Sequence, residues 1–129
     1  RKGANRIKPV EKPETIATAI RIGNPANWLK TINAIRGSGG DCITVSDAEI
    51  VSSQKRLAKR EGLFVEPAAA ASFAGLIKLI GKGDIDKDEK IVCVATGHGL
   101  KDPDNAIKVS EKPVKIEASI KSLRANLRG

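Results

Sequence analysis

Residues 90–102 read Lys90-Ile91-Val92-Cys93-Val94-Ala95-Thr96-Gly97-His98-Gly99-Leu100-Lys101-Asp102. The run from Ile91 to Ala95 is apolar, of strand length and rich in β-branched residues, and it ends in a hydroxyl followed by two spaced glycines. That pattern is what a buried parallel strand looks like where it opens onto a ligand. In open α/β sheets ligands sit beyond the carboxyl ends of the strands, so Thr96 and Gly97 are the first candidates for a binding role.

Upstream, apolar runs alternate with helical stripes. Residues 15–23 (Thr15 to Gly23) are small, apolar and β-branched, and read as a short strand or an extended loop. Asn24-Pro25 supplies an N-cap and a first-turn proline for a helix to about Arg36, with Trp28, Leu29, Ile32 and Ile35 on one stripe. Gly37-Ser38-Gly39-Gly40 follows a helix and precedes a strand, the reverse of a phosphate loop, and reads as a helix stop. Cys42 to Val45 reads as a strand, and Ser46-Asp47-Ala48-Glu49 as a capping box. The helix it starts turns Ile50, Val51, Leu57 and Ala58 inward and ends at Gly62. Leu63-Phe64-Val65 is a brief apolar run, and Glu66-Pro67 opens a helix over 68–80 that is apolar almost all round and belongs near the centre of the fold.

Downstream, the chain after Asp102-Pro103-Asp104 is polar until a small edge strand at Val114 to Ile116, and Ser119 caps a last helix with Ile120, Leu123 and Leu127 inward. This alternation argues for an α/β fold with a largely parallel sheet flanked by helices. Residues 1–14, with Pro9 and Pro13 and no periodicity, read as a connector, and 15–129 as the organised part. A chain opening on Arg1 in a connector is expected to be part of a longer one. A sheet cut through its middle would expose an edge and apolar helix surface, so the isolated piece is expected to associate.

The chain has 23 Lys and Arg against 15 Asp and Glu, a formal net charge of +8. A basic balance suits nucleic acid, but with one Trp, two Phe and no Tyr there is little to stack on bases, and the cations stand beside acids along helices. A solvated basic surface, able to draw in a small anionic substrate, is the reading, with no nucleic-acid partner. Cys42 and Cys93 are far apart in apolar runs and are expected to be reduced and buried. One histidine, His98, builds no metal site alone. No stretch has the length of a membrane span or the pattern of a signal peptide, and a cytoplasmic protein is expected.

If the sheet is parallel, its carboxyl ends gather Thr96, Gly97, Glu66 and the Ala17 to Ile22 stretch into one ligand floor. Each has a plainer reading: a tight turn for 96–99, a charge at a helix N-terminus for Glu66, a turn residue for His98. No Gly-x-Ser-x-Gly elbow and no phosphate-loop or dinucleotide motif is present.

Three stretches in order, residues 14–28, residues 62–68 (Gly-Leu-Phe-Val-Glu-Pro-Ala) and residues 96–103 (Thr-Gly-His-Gly-Leu-Lys-Asp-Pro), closely resemble the C-terminal portion of the threonine synthases, pyridoxal-phosphate enzymes of fold type II in the tryptophan-synthase-β-like group. The resemblance implies a lyase that converts O-phosphohomoserine and water to threonine and phosphate, homodimeric when complete. Its cofactor-anchoring lysine and phosphate-binding glycine loop would lie in the remainder of the enzyme, outside this chain, which alone would be inactive. It further implies that Thr96 is the hydroxyl partner of the pyridine nitrogen, with Gly97 beside it and Glu66 by the ring. Ala19 and Ile20 would pass over the cofactor, and Arg21 is the charge candidate for the substrate phosphate or a surface ion-pair residue. The family usually carries a hydroxyl where this chain has Ala69. Alternatives are another enzyme of the same architecture, such as a threonine dehydratase, and a non-catalytic basic binding fragment.

Overall fold

The computed structural model describes residues 6–86 and 88–127; residues 1–5 of the expected connector and Lys87 of the lead-in to Ile91 lie outside them. In chain order the helices are α1 (Trp28–Gly37), α2 (Asp47–Glu61), α3 (Pro67–Lys82), α4 (Pro103–Val109) and α5 (Ile120–Asn126), with single 3-10 turns at Thr18–Ile20 and Gly99–Lys101.

The start of α2 follows directly from its sequence. Ser46 Oγ accepts the Glu49 N–H at 3.3 Å and Glu49 Oε2 accepts the Ser46 N–H at 2.6 Å, so two orphan amides of the helix start are satisfied reciprocally. Gly62, at φ 67°, closes the helix in the left-handed conformation. Pro67 starts α3 at a position where no amide is needed. The two helices pack on each other, and α3 also carries the 18–20 turn. Their joint core is Ala17, Ile50, Leu57, Val65, Ala69, Ala70 and Ala74, edged by Ile16, Val45 and Phe73. Alanines on α3 permit close approach, and the Ile43 side chain lies over Gly75. Lys78 of α3 reaches back to Glu49 Oε1 at 3.1 Å and to the Thr44 carbonyl at 3.0 Å, tying the middle of α3 to the start of α2.

The expected parallel sheet is not formed among the described residues. Their only β pairing is one antiparallel bridge, Val65 with His98. A strand exists only through a neighbour, and the apolar runs at 42–45, 91–95 and 114–116 have none and carry no regular secondary structure. Val92 is 89 % exposed. Exposure also overturns the buried thiols: Cys42 is exposed and Cys93 half-buried, both free. The residues expected to face inward at the last helix, Ile120 and Leu123 of α5 and its C-cap Leu127, are exposed.

Helix details differ as well. α1 begins at Trp28 rather than at Asn24-Pro25, and its cap residue Asn27 makes no side-chain cap bond. In α2, Ser53 and Gln54 are buried where Ala58 was expected, and Ala58 is exposed. α4, absent from the sequence reading, stands where a polar loop was expected; Asp102 accepts the Asn105 N–H at 3.2 Å and Pro103 occupies the first turn. The connector is anchored at Val10, whose N–H donates to the Gly23 carbonyl at 2.9 Å. A Cβ on Gly23 would lie 1.8 Å from the Val10 oxygen, so only glycine permits this approach.

The capping box makes stability depend on pH. The Glu49 carboxyl is lowered from 4.5 to about 2, first by the Ser46 N–H and then by Lys78 and the Ser46 hydroxyl. A carboxyl lowered on folding stabilises above its unfolded value, and that contribution is lost as pH falls through the folded one. Stability is therefore expected to fall from about pH 4.5 towards 2, and Glu49→Gln to flatten the decline in that window. Ser46→Ala is expected to cost about 1 kcal/mol, read as a lower urea midpoint with unchanged slope.

Candidate functional site

Two stretches remote in sequence meet at the bridge. The Glu66 N–H donates to the Gly97 carbonyl at 2.9 Å and the Gly99 N–H to the Phe64 carbonyl at 3.0 Å. The glycines leave room for what lies against them. A Cβ on Gly97 would stand 2.0 Å from Glu66 Oε1, and one on Gly99 would stand 2.5 Å from the Phe64 ring. The Phe64 ring meets His98 edge-on, with centroids 5.8 Å apart.

Glu66 is the N-cap residue of α3, yet its side chain caps nothing. The carboxylate turns instead over Gly97, where it is 6 % exposed and has Lys101 Nζ at 3.4 Å from each oxygen. A buried carboxylate needs such a partner, and the helix N-terminus behind it adds favourable field. Buried Gln54 fixes the preceding residue, donating from Nε2 to the Val65 carbonyl at 2.7 Å.

A second set of contacts seats residues 15–20 beside this turn. Asp47, at the first position of α2, accepts from Thr15 Oγ1 at 2.6 Å and from the Ile16 N–H at 3.1 Å. Asp102 accepts from Thr18 Oγ1 at 2.7 Å, and Asn105 Nδ2 donates to the Ile16 carbonyl at 2.8 Å. The Thr18 hydroxyl, followed by the Asn105 backbone and side chain and the nearby Arg21 charge, holds the Asp102 carboxyl below its ordinary value. An open cleft of about 570 Å³ runs along this seam, lined among others by Thr18, Arg21, Asp102 and Lys108.

The fold thus gathers the predicted residues unevenly. Glu66 and Gly97 touch, and Ala17 joins the core with Val65 and Ala69. Thr96, Ala19 and Ile20 are exposed on the surrounding segments. Ala69, 1 % exposed, is sealed in the core, where a hydroxyl would need a partner. His98 acts as a cap: its Nδ1 accepts the Leu100 N–H at 3.1 Å. Asp47, Asp102, Asn105 and Lys101 do most of the joining, and the sequence reading assigned a site role to none of them. For Asp102-Pro103 the signal was an N-cap followed by a first-turn proline.

The sequence matches the pyridoxal-phosphate dependent enzyme family over residues 1–97, and the chain belongs to that family. Within it, the chain is similar to proteins named threonine synthase: 59 % identical to that of Methanocaldococcus jannaschii over 99 % of this chain and 32 % of the relative. It is 54 % identical to that of Methanosarcina acetivorans over 98 % of this chain and 31 % of the relative. For Halalkalibacterium halodurans the figures are 52 %, 79 % and 29 %. The chain spans about a third of the length of the curated relatives it matches. The family is an α/β class of enzyme. No helix among the described residues is long and apolar enough to cross a membrane.

The close approach at the bridge is directly testable. Gly99→Ala forces the Phe64 ring from its place and is expected to destabilise by about 1–3 kcal/mol, the usual cost of overpacking. Phe64→Leu in the same chain should recover part of that loss in urea unfolding.

Proposed function

We propose that this chain is the C-terminal part of the cofactor-binding domain of a threonine synthase, converting O-phosphohomoserine and water to threonine and phosphate with pyridoxal phosphate. The observation that carries the reading is that the three stretches resembling the threonine synthases converge. Residues 64–66 pair with 97–99, and residues 16–18 are bonded to Asp102 and Asn105. The cofactor's covalent lysine, its phosphate loop and the strands that would pair with the apolar runs at 42–45 and 91–95 would belong to the remainder of the enzyme, with which this chain would form a parallel sheet. That whole would work as a homodimer in the cytoplasm.

The local chemistry fits the cofactor. When bound, pyridoxal phosphate supplies an electron sink whose strength depends on what faces its ring nitrogen. The carboxylate folded over the 96–97 turn, Glu66, is already paired with Lys101, whereas the Thr96 hydroxyl is exposed. A neutral hydroxyl is therefore what this turn offers the nitrogen, a milder setting that favours elimination and replacement over transamination. With the cofactor bound, Gly97 would lie beside Thr96, Glu66 would stand by the ring, and Ala19 and Ile20 would pass over it, contributing backbone groups and shape. Arg21, on the cleft wall, is the cation for a substrate phosphate.

A hybrid tests this: the Methanocaldococcus jannaschii enzyme with its aligned segment exchanged for this chain. It is expected to release phosphate from O-phosphohomoserine. A folded hybrid that instead deaminates threonine would establish the dehydratase reading, and tight, steeply salt-dependent binding of duplex DNA by the chain would establish the binding-fragment reading. Thr96→Asp in the hybrid is expected to shift the ratio of threonine to side products by about tenfold, some 1.4 kcal/mol of differential barrier, while Thr96→Ser stays near the parent ratio. An unchanged ratio in Thr96→Asp would remove Thr96 from the nitrogen.

A further inference from the structure

Residues 15–20 are held by side chains, not by a sheet. The backbone bonds of the 18–20 turn among the described residues are all short-range: Thr18 N–H to Ile16 O at 2.9 Å, Ile20 N–H to Ala17 O at 3.0 Å, Arg21 N–H to Thr18 O at 3.2 Å and Ile22 N–H to Ile20 O at 2.8 Å. Single 3-10 turns of this kind are weak alone. Its neighbour, the 99–101 turn, is equally short and runs into Asp102. One side chain joins the two. Asp102 offers one oxygen to the Asn105 N–H, capping α4, and the other to Thr18 Oγ1, across 84 positions of sequence.

We propose that Asp102 is a positioning residue that locks the Ala17–Ile20 segment to the 96–101 turn through Thr18, setting the gap into which the cofactor ring enters. The lock rests on the preceding reading only for what fills the gap; the linkage itself is a property of this chain. Helix capping alone would need one oxygen, and a free turn would need none. The lowered Asp102 carboxyl, with Thr18 as its first cause, agrees with an acceptor engaged by the hydroxyl. Asp47 and Asn105 secure the Thr15 and Ile16 end of the same segment, so Thr18 to Asp102 is the fastening nearest Ala19 and Ile20.

The test has two arms. In the full 129-residue chain, hydrogen exchange of the Ile20 and Arg21 amides is expected to quicken about tenfold in Thr18→Val and Asp102→Ala, a loss of about 1.4 kcal/mol of local protection. Thr18→Ser, which keeps the hydroxyl, should exchange like the parent. The double variant should be no faster than the faster single one, because both remove the same bond. Parent amides that exchange without protection, equal rates in Thr18→Val, or additive effects would overturn the lock. In the hybrid enzyme, Thr18→Val is expected to raise the pyridoxal phosphate dissociation constant about fivefold, and Thr18→Ser to restore it. An unchanged constant beside faster exchange would overturn the role at the gap. A parent hybrid that binds no pyridoxal phosphate, with the exchange result intact, would instead refute the functional reading.

Discussion

Two backbone hydrogen bonds, Glu66 N–H to Gly97 O and Gly99 N–H to Phe64 O, connect the start of α3 to the glycine turn that follows the Ile91 to Ala95 run. The meeting of Glu66 with Gly97 depends on them. They place the N-terminus of α3 against the turn after the Ile91 to Ala95 run, and they bring Gly99 under the Phe64 ring and Gly97 under the Glu66 carboxylate, where a Cβ would make either side chain shift. Once the turn is there, Lys101 lies within reach of Glu66 and Asp102 within reach of Thr18. Paired bonds across a narrow antiparallel bridge thus do the work expected of a parallel sheet.

How far the residues announced this differs by element. α2 was legible to its ends because its signals are local: a capping box at Ser46 and Glu49 and a glycine at 62 act on their own backbone. α3 was legible through its proline and its alanine-rich run. The strands were not, because apolar β-branched runs specify only an extended backbone and leave the partner to the rest of the protein. The same rule misled at one place and was overlooked at another. Asn24-Pro25 has the form of a helix start but the helix waits until Trp28, whereas Asp102-Pro103 has that form and starts α4. What separates them is tertiary: Asp102 has a second partner in Thr18 that holds it in the capping position.

The site was half legible for a related reason. Glu66, Gly97 and the Thr15 to Ile20 stretch could be singled out because they belong to motifs that are continuous in sequence. Lys101, Asn105 and Asp47 are common polar residues whose role comes only from where the fold puts them. Glu66 shows the difference: its charge suits the helix end by position, but its carboxylate leaves the cap to lie over Gly97, where the bridge and the Lys101 cation hold it. The core supports this arrangement with small side chains. Four of its seven buried members are alanines, so it fixes the distance between α2 and α3 more than it supplies bulk.

Asp47 lies on the outside of the molecule, and solvent exposure usually signals a position that accepts almost any polar residue. Here the outward face of a helix start is also the socket for a loop: both carboxylate oxygens are taken, by Thr15 and by the Ile16 amide. Asn would present one acceptor too few, and Glu would carry the same charge on a longer stem. A screen that ranks positions by accessibility would pass over this one, although it fastens two segments of the chain together.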